Sequence, residues 1–292
     1  MIQLENEKIK AKISPEMGMA LTSLKIHDTE ILNQDLKDNF IRTRKGLGPI
    51  ILPHFNQVSP IAYKDTNPDD ELYKVFPHIQ HLRELGILHP FQHGIGRYVA
   101  WTYQIKKNTI IGYISGNDKV NRIKLKDLNG FDFNAKVIYK LFQDYINIEL
   151  DVSGDMPVAS GIHFYYDLVN NKSKIYLNAY HNNYEVEIIA LNENHDDILI
   201  PVADENGLSR CLLQTSRYNL LTEFIVKGSS NSVFESLIIF SNTEKNFVCI
   251  EPLSYKVGTK NTKLNHNGVI KLIPLDKFKV QPPTKSFLDK DG

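Results

Sequence analysis

Cysteine is scarce in this chain. Its 292 residues include two, Cys211 and Cys249, far apart in sequence. Two distant thiols make neither a disulfide framework nor a cysteine-based zinc motif, and the expectation is a reduced, cytoplasmic protein. Long apolar runs are also missing. The longest, such as 237–240, fall far short of a bilayer span, so no membrane is expected as a partner. The opening MIQLENEKIKAKI lacks the apolar stretch and the small-residue cleavage site of a signal peptide. Charge of one sign is absent as well: 34 Lys and Arg balance 34 Asp and Glu. No excess recommends nucleic acid or an anionic surface. No glycine-rich turn joins a strand to a helix, which excludes a P-loop or a dinucleotide fold. No Pro/Gly/Ser linker, low-complexity tract or fixed-period repeat divides the chain, so residues 1–292 are read as a single domain.

What is abundant is strand signal. Residues 8–13 alternate polar and apolar, SPEMG follows as a turn, and ALTSLKI is a second strand. From Arg97 onward, RYVAWTYQI, TIIGYI, KVNRIKL, FDFNAKVIYKLF and YINIELDV come in quick succession. SGIHFYYDL, KIYLNAY, YEVEIIAL, TEFIVK, SVFESLIIF, NFVCIEP and GVIKLIPL continue the series. Many short strands separated by Asn, Gly and Asp indicate an all-β fold, a large antiparallel β-sandwich. Residues 33–44 are polar and loop-like. GLGPIILPHFNQ, 46–57, is a short buried segment leading into a loop with His54, Asn56 and Gln57. Residues 70–86 differ: Leu72, Val75, Phe76, Ile79, Leu82 and Leu85 recur at helical spacing. Pro77 interrupts them, predicting a kinked helix or two short ones as an insertion.

Three stretches hold polar groups that strands could aim. In NFVCIEP, alternation puts Phe247, Cys249 and Glu251 on one face and Val248 and Ile250 on the other. Pro252 is expected to end that strand, leaving Glu251 at its edge. Taken alone, Glu251 is better explained by simple exposure at a strand end, since most glutamates are solvated. In GIHFYYDL, His163 and Tyr165 share a face, and His163 is either a satisfied core histidine or a positioned acid/base. In HGIGRYVAW, His93 and Arg97 lie on a site rim or in an ordinary surface loop. There Gly94 and Gly96 permit close backbone approach, and Trp101 is placed on a sugar or in the core. His78, His81, His89 and His93 cluster in sequence, but the His78/His81 spacing is not the i, i+4 pair of a zincin helix, there is no HExxH motif and Pro77 breaks the helix, so no metal site is expected.

Together these segments resemble the aldose 1-epimerase, or galactose mutarotase, family. GPIILPHFNQ is similar to that family's G-x-P-x-x-x-P-x-x-N-R segment, HGIGRYVAW to its H-G…W segment, GIHFYYDL to its H-P-Y-F strand, and FVCIEP to its C-x-E-P strand. The order of the four motifs is the family's, and they spread over nearly the whole chain. The resemblance implies a galactose mutarotase-type sandwich with a sugar cleft on a concave sheet face. It implies Glu251 as general base and His163 as general acid, facing each other across a cleft sized for one pyranose. His93, Arg97 and Asn56 become sugar contacts, and Cys249 becomes packing beside the cleft. The implied reaction is interconversion of the α and β anomers of a hexose, with no cofactor and no metal. The implied partner is a small-molecule sugar, free or phosphorylated, and the protein a monomer or a homodimer.

There are departures from the pattern. Gln57 stands where the family has arginine, which leaves Arg97 to supply a guanidinium, and Phe164 replaces the proline after the histidine. An acidic sugar-binding residue falls on Asp204 or Glu223. The alternatives are a hexose-6-phosphate 1-epimerase using Arg97 with Arg42, Arg44 or Arg210, and a non-catalytic carbohydrate-binding or sensor protein on the same fold. A sandwich-fold lyase or hydrolase lacks a second carboxylate motif to partner Glu251.

Overall fold

The computed structural model describes residues 1–55, 76, 79, 91–169, 173–179, 182–187, 198–201, 208–226, 234–242, 245–255, 257–258 and 260–275. Strands dominate, and all their pairings are antiparallel. An N-terminal sheet joins β1 (Ile2–Glu5), β2 (Ile9–Ser14), β3 (Ala20–Ile26) and β4 (Thr29–Glu30) in sequence order. A nine-stranded sheet runs, in spatial order, through β6 (Thr102–Lys106), β7 (Thr109–Ser115), β10 (Phe133–Leu141), β11 (Ile146–Gly154) and β21 (Asn265–Leu275). It continues through β18 (Asn219–Val226), β17 (Leu208–Gln214), β14 (Lys174–Ala179) and β15 (Asn182–Glu187).

The third sheet positions the site. It runs through β5 (Ile50–Ile51), β12 (Gly161–Ile162), β20 (Phe247–Leu253), β19 (Ser236–Asn242) and β16 (Ile198–Pro201), with β13 (Phe164–Asp167) also pairing β20. The main apolar core takes one face of each large sheet. Alternation along β11 buries Ile146, Ile148, Leu150 and Val152, and Phe164, Tyr166, Val248 and Ile250 from β13 and β20 join the same core. Period-2 patterning therefore decides which side chains of β20 are left for other work: Phe247, Cys249 and Glu251 point away from that core.

Several local expectations change. Residues 33–44 are not a loop: a 3-10 turn at Gln34–Leu36 leads into helix α1 (Lys37–Thr43), because Leu36, Phe40 and Thr43 bury one side of it. The segment KVNRIKL is a small hairpin of β8 (Lys119–Val120) and β9 (Ile123–Lys124), followed by helix α2 (Leu125–Asn129). Ile95–Arg97 is a 3-10 turn, and the strand after it starts only at Thr102. Pro252 does not end β20, which runs on to Leu253 with Pro252 opposite Leu237. The missing N–H falls where one neighbour already changes, between Ile250 paired to β13 and Leu253 paired to β12. Trp101 is a core residue, 4% exposed, whose indole N–H donates to the Gly96 carbonyl at 2.7 Å. Of the helical stretch at 70–86, Phe76 and Ile79 are buried in the main core, and the rest lies outside the described residues.

The turn that carries His93 depends on backbone approach. His93 has φ 64° and Gly94 has φ 91°, the left-handed region that non-glycine residues enter at a cost. A Cβ on Gly94 would stand 1.9 Å from the Leu52 carbonyl oxygen. Both the dihedral and the contact demand glycine, so Gly94→Ala is expected to destabilise the fold by more than about 1 kcal/mol, read as a lower midpoint in chemical denaturation.

Candidate active site

β20 supplies two members of the site. Alternation brings Cys249 and Glu251 to the same face, and both are buried, Glu251 at 7% exposure. The third member, His163, lies in the gap between β12 and β13, so GIHFYYDL is not one continuous strand. The gap has a cause. The His163 N–H donates to the Pro49 carbonyl at 3.0 Å, and the Tyr165 N–H donates to Leu47 at 2.8 Å. The chain leaves its β20 neighbour locally to pair with the GPIILP segment. The registers on either side, Phe164 with Ile250 and Gly161 with Leu253, set His163 beside Glu251.

The contact is direct. Nδ1 of His163 is 2.6 Å from Oε1 of Glu251. The expected cleft between the two is therefore absent: they share one face, as alternation requires, but they touch instead of flanking a pyranose. The Cys249 thiol donates to the same Oε1 at 3.3 Å and lies 3.5 Å from Nδ1 of His163. The other ring nitrogen of His163, Nε2, is buried with no hydrogen-bond partner. One edge of the imidazole is thus fixed by the carboxylate, and the other has no hydrogen-bond partner among the described residues.

Rings line up along this face. Tyr255 meets Phe55 at 6.1 Å between centroids, Phe55 meets His93 at 4.7 Å, His93 meets His163 edge-on at 4.7 Å, and His163 stacks on Tyr165 at 5.8 Å. His93 and His163, far apart in sequence, are thereby adjacent. His54, which precedes Phe55, is also buried, and neither of its ring nitrogens has a partner. Only its place in a proline-bracketed segment marks it in the sequence. Its lack of partners comes from packing that no local pattern reports.

Positive charge gathers beside these rings. Arg97 is 1% exposed, its guanidinium lies 5.2 Å from the Tyr98 ring centroid, and its Nε has no hydrogen-bond partner. Arg44, at φ 61°, closes helix α1 and gives an N–H to the Phe40 carbonyl at 3.3 Å. Burial lowers the Arg44 and Lys45 pKa values, and repulsion from Arg97 lowers them further. Burial, then the charges of His163, Arg97, Lys45 and His54, hold His93 well below the ordinary histidine range. Burial pushes the Tyr165 hydroxyl well up, with the nearby Cys249 and Glu251 adding to it. Among the described residues, no ion pair includes Arg97, Arg44 or Lys45.

Four of the expected residues, Glu251, His163, His93 and Arg97, are thus brought to one neighbourhood. Asn56 and Asp204 lie outside the described residues. Glu223 does not reach the site. On β18 the residues Leu220, Thr222 and Phe224 are buried, which turns Glu223 the other way, and it is held by Arg210 at 2.9 Å. β18 belongs to the nine-stranded sheet, whereas Glu251 and Cys249 stand on β20 of the other large sheet. His163, Cys249 and Glu251 also form the one group of donor atoms among the described residues with metal-ligand proximity, within 4.8 Å of one another.

No protein-family model and no curated protein sequence matches the chain. Solved structures do. A galactose mutarotase-related enzyme from Lactobacillus acidophilus is 15% identical and superposes over 94% of this chain and 97% of its own, with a TM-score of 0.62. A galactose mutarotase-like protein from Lactobacillus casei is 17% identical over 94% and 100%, with a TM-score of 0.61. A galactose mutarotase-like protein from Clostridium acetobutylicum is 15% identical over 94% of both chains, with a TM-score of 0.60. The chain has the galactose mutarotase-like fold. No described helix is long and apolar enough to cross a membrane.

The buried histidines carry a consequence for stability. Burial pulls the His54 pKa down to about 4 from its ordinary 6.5. A depressed histidine stays neutral in the fold while the unfolded chain takes up the proton. Its contribution is therefore whole above pH 6.5 and falls away as pH drops toward 4. Urea unfolding across that window is expected to show falling stability, and His54→Gln to reduce the slope by about one bound proton.

Proposed function

We propose that this protein interconverts the α and β anomers of a hexose by acid–base catalysis at His163 and Glu251. The observation that carries the reading is the buried 2.6 Å contact between them, with Nε2 of His163 left without a protein partner. Glu251 takes the proton of the anomeric hydroxyl as the C1–ring oxygen bond breaks. His163 delivers a proton to the ring oxygen from Nε2. Rotation about C1–C2 turns the aldehyde, and reclosure on its other face runs the two transfers in reverse. An imidazole and a carboxylate suit this work because both exchange protons near neutral pH. His93, neutral in its buried setting, accepts or donates a hydrogen bond to a sugar hydroxyl without adding charge. Phe55 and Tyr255 form the apolar wall on which sugar C–H groups pack. Asn56 is a further sugar contact in this reading.

The test is anomer exchange followed by polarimetry or NMR. Added protein is expected to speed the relaxation of fresh α-D-glucose or α-D-galactose. Glu251→Gln and His163→Asn are each expected to lower the rate by about 10²-fold or more. A wild-type protein that accelerates no common aldose overturns the reading, and sugar binding without exchange turns it into a binding module.

A second reading is favoured by a separate observation, the cluster of Arg97, Arg44 and Lys45 without a carboxylate partner among the described residues. Desolvated cations in mutual repulsion are relieved by an anion. In this reading the hexose carries a phosphate that sits on the cluster. Hexose 6-phosphate is then turned over faster than the free sugar, inorganic phosphate competes, and Lys45→Gln lowers kcat/KM for the phosphosugar by about tenfold or more. Equal rates on both sugars with no effect of phosphate exclude it.

A further inference from the structure

We propose that Cys249, His163 and Glu251 form a binding site for a thiophilic divalent cation of the zinc class. Through the catalytic reading above, on which this clause alone rests, the ion and the sugar exclude one another.

The donor set suits such an ion. A thiol, an imidazole and a carboxylate are all zinc ligands, and three protein donors with one open position is the arrangement of exchangeable sites. The scaffold is rigid: Cys249 and Glu251 are two apart on β20, and His163 is anchored through its backbone to Pro49. In a tetrahedral site, with Zn–S about 2.3 Å and Zn–N and Zn–O about 2.0–2.1 Å, neighbouring donors stand about 3.3–3.6 Å apart. Sγ of Cys249 already lies 3.5 Å from Nδ1 of His163 and 3.3 Å from Oε1 of Glu251. The Nδ1 to Oε1 separation, 2.6 Å, must widen by about 0.7 Å, and the Sγ to Oε1 separation, 3.3 Å, by about 0.2 Å.

Protons and charge balance. The thiol loses its proton to the buffer and the sulfur binds as thiolate. Nδ1 of His163 gives up its hydrogen bond and turns its lone pair to the metal. The imidazole proton then resides on Nε2, which has no protein partner to oppose it. Thiolate and carboxylate together cancel the dication, so the filled site is neutral where the apo-site carries the single negative charge of the carboxylate. An ion held this way occupies the carboxylate and the imidazole that anomer exchange uses.

Cobalt(II) is the probe, because its thiolate complexes absorb where the apo-protein does not. Titrating the full-length protein is expected to give a thiolate-to-cobalt band that saturates at one equivalent and is displaced by zinc. Cys249→Ser should abolish the band, and Cys211→Ser, which removes the other thiol, should leave it. Glu251→Gln keeps the thiol and should weaken cobalt binding by about tenfold or more, and this variant decides the matter if Cys249→Ser does not fold. No band in the wild type, a band that survives Cys249→Ser, or unchanged affinity in Glu251→Gln overturns the proposal. Anomer exchange is measured separately, with zinc slowing it and a chelator restoring it. A cobalt site in a protein with no exchange activity supports the ion site and removes the epimerase reading. Exchange activity that one equivalent of zinc does not slow, with the band present, removes only the mutual exclusion.

Discussion

A carboxylate and an imidazole in contact, with almost no water around either, is the constraint on which this site depends. Glu251 and His163 are 7% and 4% exposed. A group so buried must find its partner within the protein, and each finds the other at 2.6 Å. Losing either one leaves a polar group stranded, which explains why two separate stretches of chain are held so closely in register. The Pro49 carbonyl that captures the His163 N–H, and the Gly94 backbone pressed against Leu52, serve that register as much as they serve the fold.

The second organising force is positive charge without a carboxylate partner among the described residues. Buried guanidinium groups are ordinarily paired. Arg97 instead lies over an aromatic ring, with its Nε unpartnered, while Arg44 and Lys45 crowd it. Burial first, and that field second, keep His93 neutral, and the field favours anions nearby. It bears on two of the functional ideas, a neutral sugar contact at His93 and a phosphate on the substrate, while the ion site at Cys249 rests on donor geometry instead. Each of the three predicts a different ligand.

Much of this was legible from residues alone, for reasons tied to particular elements. The alternation Phe247, Cys249, Glu251 against Val248, Ile250 placed the carboxylate on the face away from the core, because a strand has a period of two. The glycines of HGIGR signalled a close backbone approach, and Leu52 is what they approach. Helix α1 was not legible: its sequence is polar, and its burial depends on three residues meeting a sheet that forms elsewhere. The end of β20 was misplaced because the rule about proline assumes an unbroken neighbouring strand, and here the neighbour changes at that point. The pairing of Glu223 with Arg210 across β17 and β18 became visible only once those strands were in register.

Sequence by itself determined the class of fold, the faces of the strands, and the residue types offered for proton transfer, since these follow from local periodicity and side-chain chemistry. Tertiary structure alone decided the distances. That His163 touches Glu251 and Cys249, that His93 sits between Phe55 and His163, and that Arg97 has no carboxylate among the described residues all depend on how distant parts of the chain meet. Such contacts are set by how sheets pack and where a strand breaks, and no short stretch of chain encodes either.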